Sequence, residues 1–149
     1  TRTDTLFPYT TLFRSGCYRV THVEAPEDAT ASSRSTDPLW EAARQAQRIA
    51  EERLDREAGV SRGRVAIIVG AQRARAWGAD VDGETALSER VALLSANASK
   101  GLEFDSVVLV EPGEIMSDGI GDLFVALTRA THDVHVVHVG QLPAGMEEW

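Results

Sequence analysis

Two short segments carry side chains that could do chemistry. Residues 95–105 read S-A-N-A-S-K-G-L-E-F-D, and residues 122–131 read D-L-F-V-A-L-T-R-A-T. In the first, Lys100 and Gly101 fall in a turn between two apolar runs, where a glycine lets backbone amides come close to a ligand. Lys100 and Glu103 are expected to project from the carboxyl-end edge of a sheet, the edge at which open α/β folds bind ligands. In the second, Arg129 stands near the end of an otherwise apolar helix with Leu123, Phe124, Leu127 and Ala130. A guanidinium there must reach a partner at the helix edge. Lys100 is the one lysine beside fourteen arginines, which hints that a compact ammonium is preferred at that position.

Plainer readings stand beside these. Lys100, Gly101 and Glu103 could form an ordinary turn with solvated charges, and Arg129 could be a helix-end cation satisfying carbonyl groups. Arg73 and Arg75 follow an apolar run and read either as nucleic-acid contacts or as surface residues. His132, His135 and His138 invite a metal reading. Residues three apart on a strand face opposite sides, however, so His135 and His138 cannot share an ion, and no metal site is assigned.

The elements that must position these residues read as α/β. Val65–Val69 (VAIIV) is a continuous apolar run, the mark of a strand buried on both faces. Val91–Leu94, Ser106–Val110 and Val134–Val139 read the same way, and Cys17–Val23 alternates enough for a further strand. A polar linker over 25–37 leads to Asp37, an expected N-cap, with Pro38 at the first helical position and Gly59 at the far end. Between them Leu39, Ala43, Ala46, Ala50 and Leu54 form one apolar stripe, small enough to lie close against a sheet. A second helix is expected over about 118–130. Buried strands alternating with helices imply a parallel sheet with helices on both faces, a three-layer α/β fold.

Composition narrows the function. The chain has 149 residues, 43% of them hydrophobic and 26% charged, about one globular domain. No apolar run approaches the ~18 residues of a membrane span, and no secretory pattern opens the chain, so a cytoplasmic protein without a membrane partner is expected. The net charge of −8 is the wrong sign for holding nucleic acid by phosphate neutralisation alone. Any such surface must be local or shared with another domain. The opening TRTDTLFPYTTLFRS holds five threonines and no Ala, Val, Gly or Glu. It resembles translated sequencing-adapter DNA, and residues 1–15 are read as foreign, leaving 16–149 as one domain.

K-G-L-E-F-D followed about twenty residues later by L-F-V-A-L-T-R-A-T resembles the fifth and sixth motifs of the UvrD/Rep/PcrA class of superfamily 1 helicases. The intervening S-V-V-L-V and the later V-H-V-V-H-V fit that class, and A-I-I-V with Arg73 and Arg75 after it looks like an earlier strand and turn of the same RecA-like domain. The resemblance implies an ATP site shared by two RecA-like domains, of which this is the C-terminal one. Arg129 would then reach the γ-phosphate, Glu103 would accept from the ribose hydroxyls, and Lys100 and Gly101 would face phosphate of ATP or of a nucleic-acid strand. No G-x-x-x-x-G-K-[ST] occurs, so the phosphate loop and the magnesium ligands would belong to an N-terminal RecA-like domain of the parent, and this chain alone should not hydrolyse ATP.

Departures from the pattern shape the alternatives. Asn97 stands where the best-known helicases carry a histidine that touches single-stranded DNA. About twenty residues separate Val69 from Val91, leaving no room for a large inserted accessory domain. Both features look more like the HelD and helicase IV branch, some of whose members remodel RNA polymerase. Phe13-Arg14-Ser15 mimics a further helicase motif, but it lies in the segment read as foreign, and Arg14 is given no role. The remaining alternative is a non-enzymatic α/β module whose motif match is chance.

Overall fold

A computed structural model describes residues 18–24, 33–58, 63–81, 83 and 89–146. The opening segment, Cys17, most of the linker and Gly59 lie outside them. Five strands form one parallel sheet: β1 (Tyr18–His22), β2 (Val65–Val69), β3 (Val91–Ser95), β4 (Phe104–Val110) and β5 (Ala130–His138), in the order β1-β5-β4-β2-β3. Four helices flank it: α1 (Pro38–Ala58), α2 (Ala71–Trp77), α3 (Pro112–Asp118) and α4 (Ile120–Leu127). This is the three-layer α/β arrangement expected from the sequence.

Every residue of β2 is buried, as a central parallel strand requires. Each such Val or Ile contributes about 1.5–3 kcal/mol by leaving water. On one face the small-residue stripe of α1 (Leu39, Ala43, Ala46, Ala50, Leu54) and Trp77 of α2 pack on Val65, Ile67, Val69, Val108, Val110 and Val137. On the other, Ile115 of α3 and Leu123, Ala126 and Leu127 of α4 pack on Ala66, Ile68, Val107, Leu109, Val134 and Val136. Asp37 caps α1 as expected, its Oδ1 accepting the Leu39 N–H at 3.0 Å.

Two elements differ from the sequence reading. The single helix expected over 118–130 is two short ones, because the Gly119 N–H closes α3 on the carbonyls of Ile115 and Met116 and the chain restarts at Ile120. Residues 71–77, expected as an arginine-bearing turn, form α2. Its end is a left-handed Gly78 whose N–H bonds the Ala74 carbonyl, the usual glycine stop.

The connection from β3 to β4 matters most for the site. Both strands flank β2 and run parallel to it, so residues 96–103 must travel from the carboxyl end of one strand to the amino end of the other. They begin with a 3-10 turn, Asn97–Ser99. Ala98 and Leu102 fasten the segment onto the face covered by α3 and α4.

Candidate functional site at the β4 and β5 amino ends

Arg129 immediately precedes β5 and Glu103 immediately precedes β4. The two strands are tied there by the Phe104 N–H donating to the Arg129 carbonyl at 2.9 Å. Glu103 and Arg129 therefore share the amino-end edge of the sheet, not the carboxyl-end edge expected for Glu103. The physical reason is the return path of residues 96–103. Lys100 lies one turn beyond Asn97, its N–H bonded to the Asn97 carbonyl at 3.3 Å. Gly101 is left-handed, φ +80°, and nothing lies within 4 Å of where a Cβ would stand. Lys100, Gly101 and Glu103 are all exposed.

The Arg129 guanidinium is half-buried and organised by local groups. Its Nε donates to the Val125 carbonyl at 3.0 Å, Nη1 to the Leu102 carbonyl at 3.3 Å and Nη2 to Thr128 Oγ1 at 3.1 Å. Thr128 Oγ1 is itself bonded to the Phe124 and Val125 carbonyls at 2.9 Å. Arg129 thus does satisfy carbonyls at the end of α4, yet the Leu102 bond also docks it against the Lys-Gly turn. A guanidinium carries five N–H groups, so two remain uncommitted, and no carboxylate pairs with it among the described residues. Leu102 and Thr128 are the supports that residue-type reasoning missed. Thr128 was visible as the polar neighbour of Arg129 in an apolar helix, whereas a backbone carbonyl leaves no signature.

Arg75 and Asn97 are placed elsewhere, at the carboxyl-end edge. With Val81, Ser95, Asp118 and Asp122 they line a groove of about 190 Å³. A second depression of about 180 Å³ beside it, lined by Gly70, Gln72, Glu114 and Ser117, sits where the strand order reverses between β2 and β4. Crevices at such switch points are the usual ligand sites of open α/β sheets. Here the Ala71 N–H is already taken by Asp118 Oδ2 at 2.8 Å.

Arg73 is neither an exposed nucleic-acid contact nor a surface residue. It is 4% exposed, with Nε and Nη2 on the two Glu114 oxygens at 2.8 Å and Nη1 on Asp37 Oδ2. Burial by itself would lower its pKa, but the bond to Glu114 and the charges of Glu114, Asp37 and Glu111 outweigh that and raise it. The missed signal was its place on α2: the side chain points back under the cap of α1. Asp37 also accepts the Trp77 indole N–H at 3.1 Å, so one carboxylate ties the start of α1 to the end of α2 within the same helical layer.

The histidines have separate partners. His135 shares its face with Val137 and pairs with Thr21 Oγ1 at 2.8 Å, His138 bonds the Gly140 carbonyl at 2.7 Å, and His132 meets Glu57 at 3.0 Å. Burial and the charges of Arg19 and Arg53 lower the His135 pKa. One further residue had no sequence signal. Glu111, at the carboxyl end of β4, adopts a left-handed backbone (φ 50°), which only it does among the described non-glycine residues. Its carboxylate receives the Val139 and Gly140 N–H groups at 3.1 and 3.2 Å.

Among the described residues no helix is long and apolar enough to cross a membrane. No protein-family profile and no curated protein matches the chain. Among solved structures it is similar to the C-terminal domain of a possible DNA helicase from Lactobacillus plantarum WCFS1. The likeness has a TM-score of 0.53 and 22% identity, and covers 97% of this chain and 90% of that one. At that identity the likeness establishes a shared three-layer α/β fold.

Proposed function

We propose that this chain is the C-terminal RecA-like motor domain of an ATP-dependent DNA helicase or translocase, and that Arg129 supplies a transition-state contact to ATP. One observation carries the reading. The Arg129 guanidinium is held by three local acceptors against the Leu102 carbonyl, with two N–H groups left over and no carboxylate to neutralise it. A plain helix-end cation does not need docking onto a glycine turn that carries an ammonium and a carboxylate. The fold shared with the C-terminal domain of a possible DNA helicase agrees with it.

The residues present suit a nucleotide. Two free guanidinium N–H groups can grip two phosphate oxygens, and they offset the charge that builds as the bond to the leaving phosphate breaks. The exposed Lys100 adds a point charge for phosphate, and the Glu103 carboxylate can accept from ribose hydroxyls. Bound ATP with magnesium would supply the phosphoryl group and the metal's neutralising charge, held mainly by an N-terminal RecA-like domain of the parent. Arg129, fixed to this domain, would then act only when the two domains close, coupling hydrolysis to their motion. Single-stranded DNA is the expected track.

The test is Arg129→Ala in the reassembled two-domain protein. Removing a contact made only in the transition state should cut turnover by about 10³-fold while ATP binding changes little. Equal losses of affinity and rate, accompanied by a lowered melting temperature, would assign the residue a structural role and end the proposal. A second reading, a HelD-like ATPase that remodels RNA polymerase, is favoured by Asn97 and by the β2–β3 connection, which spans only residues 70–90 and includes α2. ATPase activity of the parent that responds to single-stranded DNA but not to polymerase would dispose of it.

A further inference from the structure

The carboxyl-end edge also carries an arginine and tryptophan arrangement that the nucleotide site does not use. Trp40, in the first turn of α1, is half-buried, with the Arg34 guanidinium 5.1 Å and the Arg44 guanidinium 5.5 Å from its ring centroid. Arg34 comes from the 3-10 turn Arg34–Thr36, and Arg44 lies one helical turn after Trp40. The ring does not float. It meets Trp77 edge-on at 5.3 Å, and Trp77, 2% exposed, is pinned through its indole N–H to the buried Asp37, which Arg73 also holds. The Arg73 network therefore lies beneath a half-buried cationic platform.

Arg53, Arg73 and Arg90 are matched to carboxylates, as a net charge of −8 leads one to expect. Among the described residues neither Arg34 nor Arg44 has a carboxylate partner, and Arg48, one turn further, reaches Glu41 only at 3.7 Å. The Arg44 Nε is closed off from water without an acceptor. Cation–π contact with one ring holds both forks in place, which lowers the entropy lost when they engage an anion.

We propose that the Arg34–Trp40–Arg44 platform binds phosphates of a single-stranded nucleic acid. Guanidinium forks match phosphate oxygens, and two of them on one ring suit neighbouring phosphates on one strand. α2 lies between this platform, which it supports through Trp77, and the groove that it lines through Arg75 with Asn97. A strand crossing the carboxyl-end edge would meet both. The choice of nucleic acid over another polyanion rests on the helicase reading above, but the platform does not depend on Arg129.

The test is fluorescence anisotropy of labelled oligothymidine titrated with this chain across a sodium chloride series, for wild type, Arg34→Ala with Arg44→Ala, and Arg129→Ala. Each phosphate contact on a single strand contributes roughly 0.7 to the slope of log K against log salt. The double variant should lose about 1.4 of that slope and bind more weakly at every salt concentration, with an unchanged circular dichroism melt, whereas Arg129→Ala should bind like wild type. An unchanged slope in the double variant, no binding by wild type at low salt, or displacement of the oligonucleotide by oligoglutamate at equal charge would each overturn the proposal. Loss of ATPase on Arg129→Ala in the reassembled two-domain protein, with no oligonucleotide binding by wild type here, would overturn this inference alone.

Discussion

Replacing Arg73 tests how the carboxyl-end edge is held together. The side chain joins Asp37, 6% exposed, to Glu114, whose side chain is 39% exposed. Removing it exposes two unequal costs. The Glu114 end is partly solvated, and its loss costs at most about 1 kcal/mol. The Asp37 end leaves a buried carboxylate without its cation, a loss of about 3–5 kcal/mol. The lower figure applies, because Asp37 keeps the Leu39 and Trp77 N–H groups. Loss of the guanidinium over the Trp77 ring, 5.4 Å away, adds about 0.5–1 kcal/mol. Arg73→Met should therefore destabilise by about 4 kcal/mol, or about 10–15 °C in melting temperature for a domain of this size.

The companion variant is Arg73→Met with Asp37→Ser. Serine still caps α1 and leaves no buried charge, so this pair should recover about 2 kcal/mol relative to the sum of the single changes. Urea denaturation followed by circular dichroism reads both, with an unchanged m-value showing that the unfolded state has not moved. If Arg73→Met stays within about 1 kcal/mol of wild type, or if the double variant is simply additive, the reasoning that Arg73 neutralises a buried carboxylate is wrong.

Two further outcomes follow from single residues. The His135 pKa is lowered in the folded protein, so the unfolded chain takes up a proton near pH 6.5 before the folded one does. Stability should fall as pH drops through about 6.5 toward the folded value, and His135→Gln should flatten that part of the melting-temperature profile; a wild-type profile flat from neutral to mildly acidic pH refutes this. At Gly63 an added Cβ would stand 2.6 Å from the Leu54 Cβ, which belongs to the buried stripe of α1. Gly63→Ala should cost about 1–3 kcal/mol, and an unchanged urea midpoint would show that the end of α1 yields freely.

Much of the fold was legible because burial on both faces writes itself as uninterrupted Val, Ile and Leu. β2 has the bounds its apolar run predicts, and Asp37-Pro38 marks the start of α1 through cap chemistry that needs only local residues. Strand edges were less visible: β4 begins at Phe104 and β5 at Ala130, where pairing with a neighbour, not local apolar content, decides the first residue. Arg129 and the Lys100–Glu103 turn could be singled out by type, yet their edge of the sheet depended on how residues 96–103 cross β2, a tertiary fact. Arg73 was misread for a related reason, since its two carboxylate partners are 36 and 41 residues away. The Trp40 platform spans only eleven positions, but a short spacing of Arg and Trp does not announce that their rings and forks stack.

The crossing segment links opposite rims of the domain by a single short run of chain. Asn97 touches one rim, Leu102 touches Arg129 at the other, and Ala98 and Leu102 anchor the span between them in the apolar layer beneath α3 and α4. Both side chains are partly buried against the core cluster. One short segment thus carries the asparagine of one rim and the carbonyl that steadies the arginine at the other.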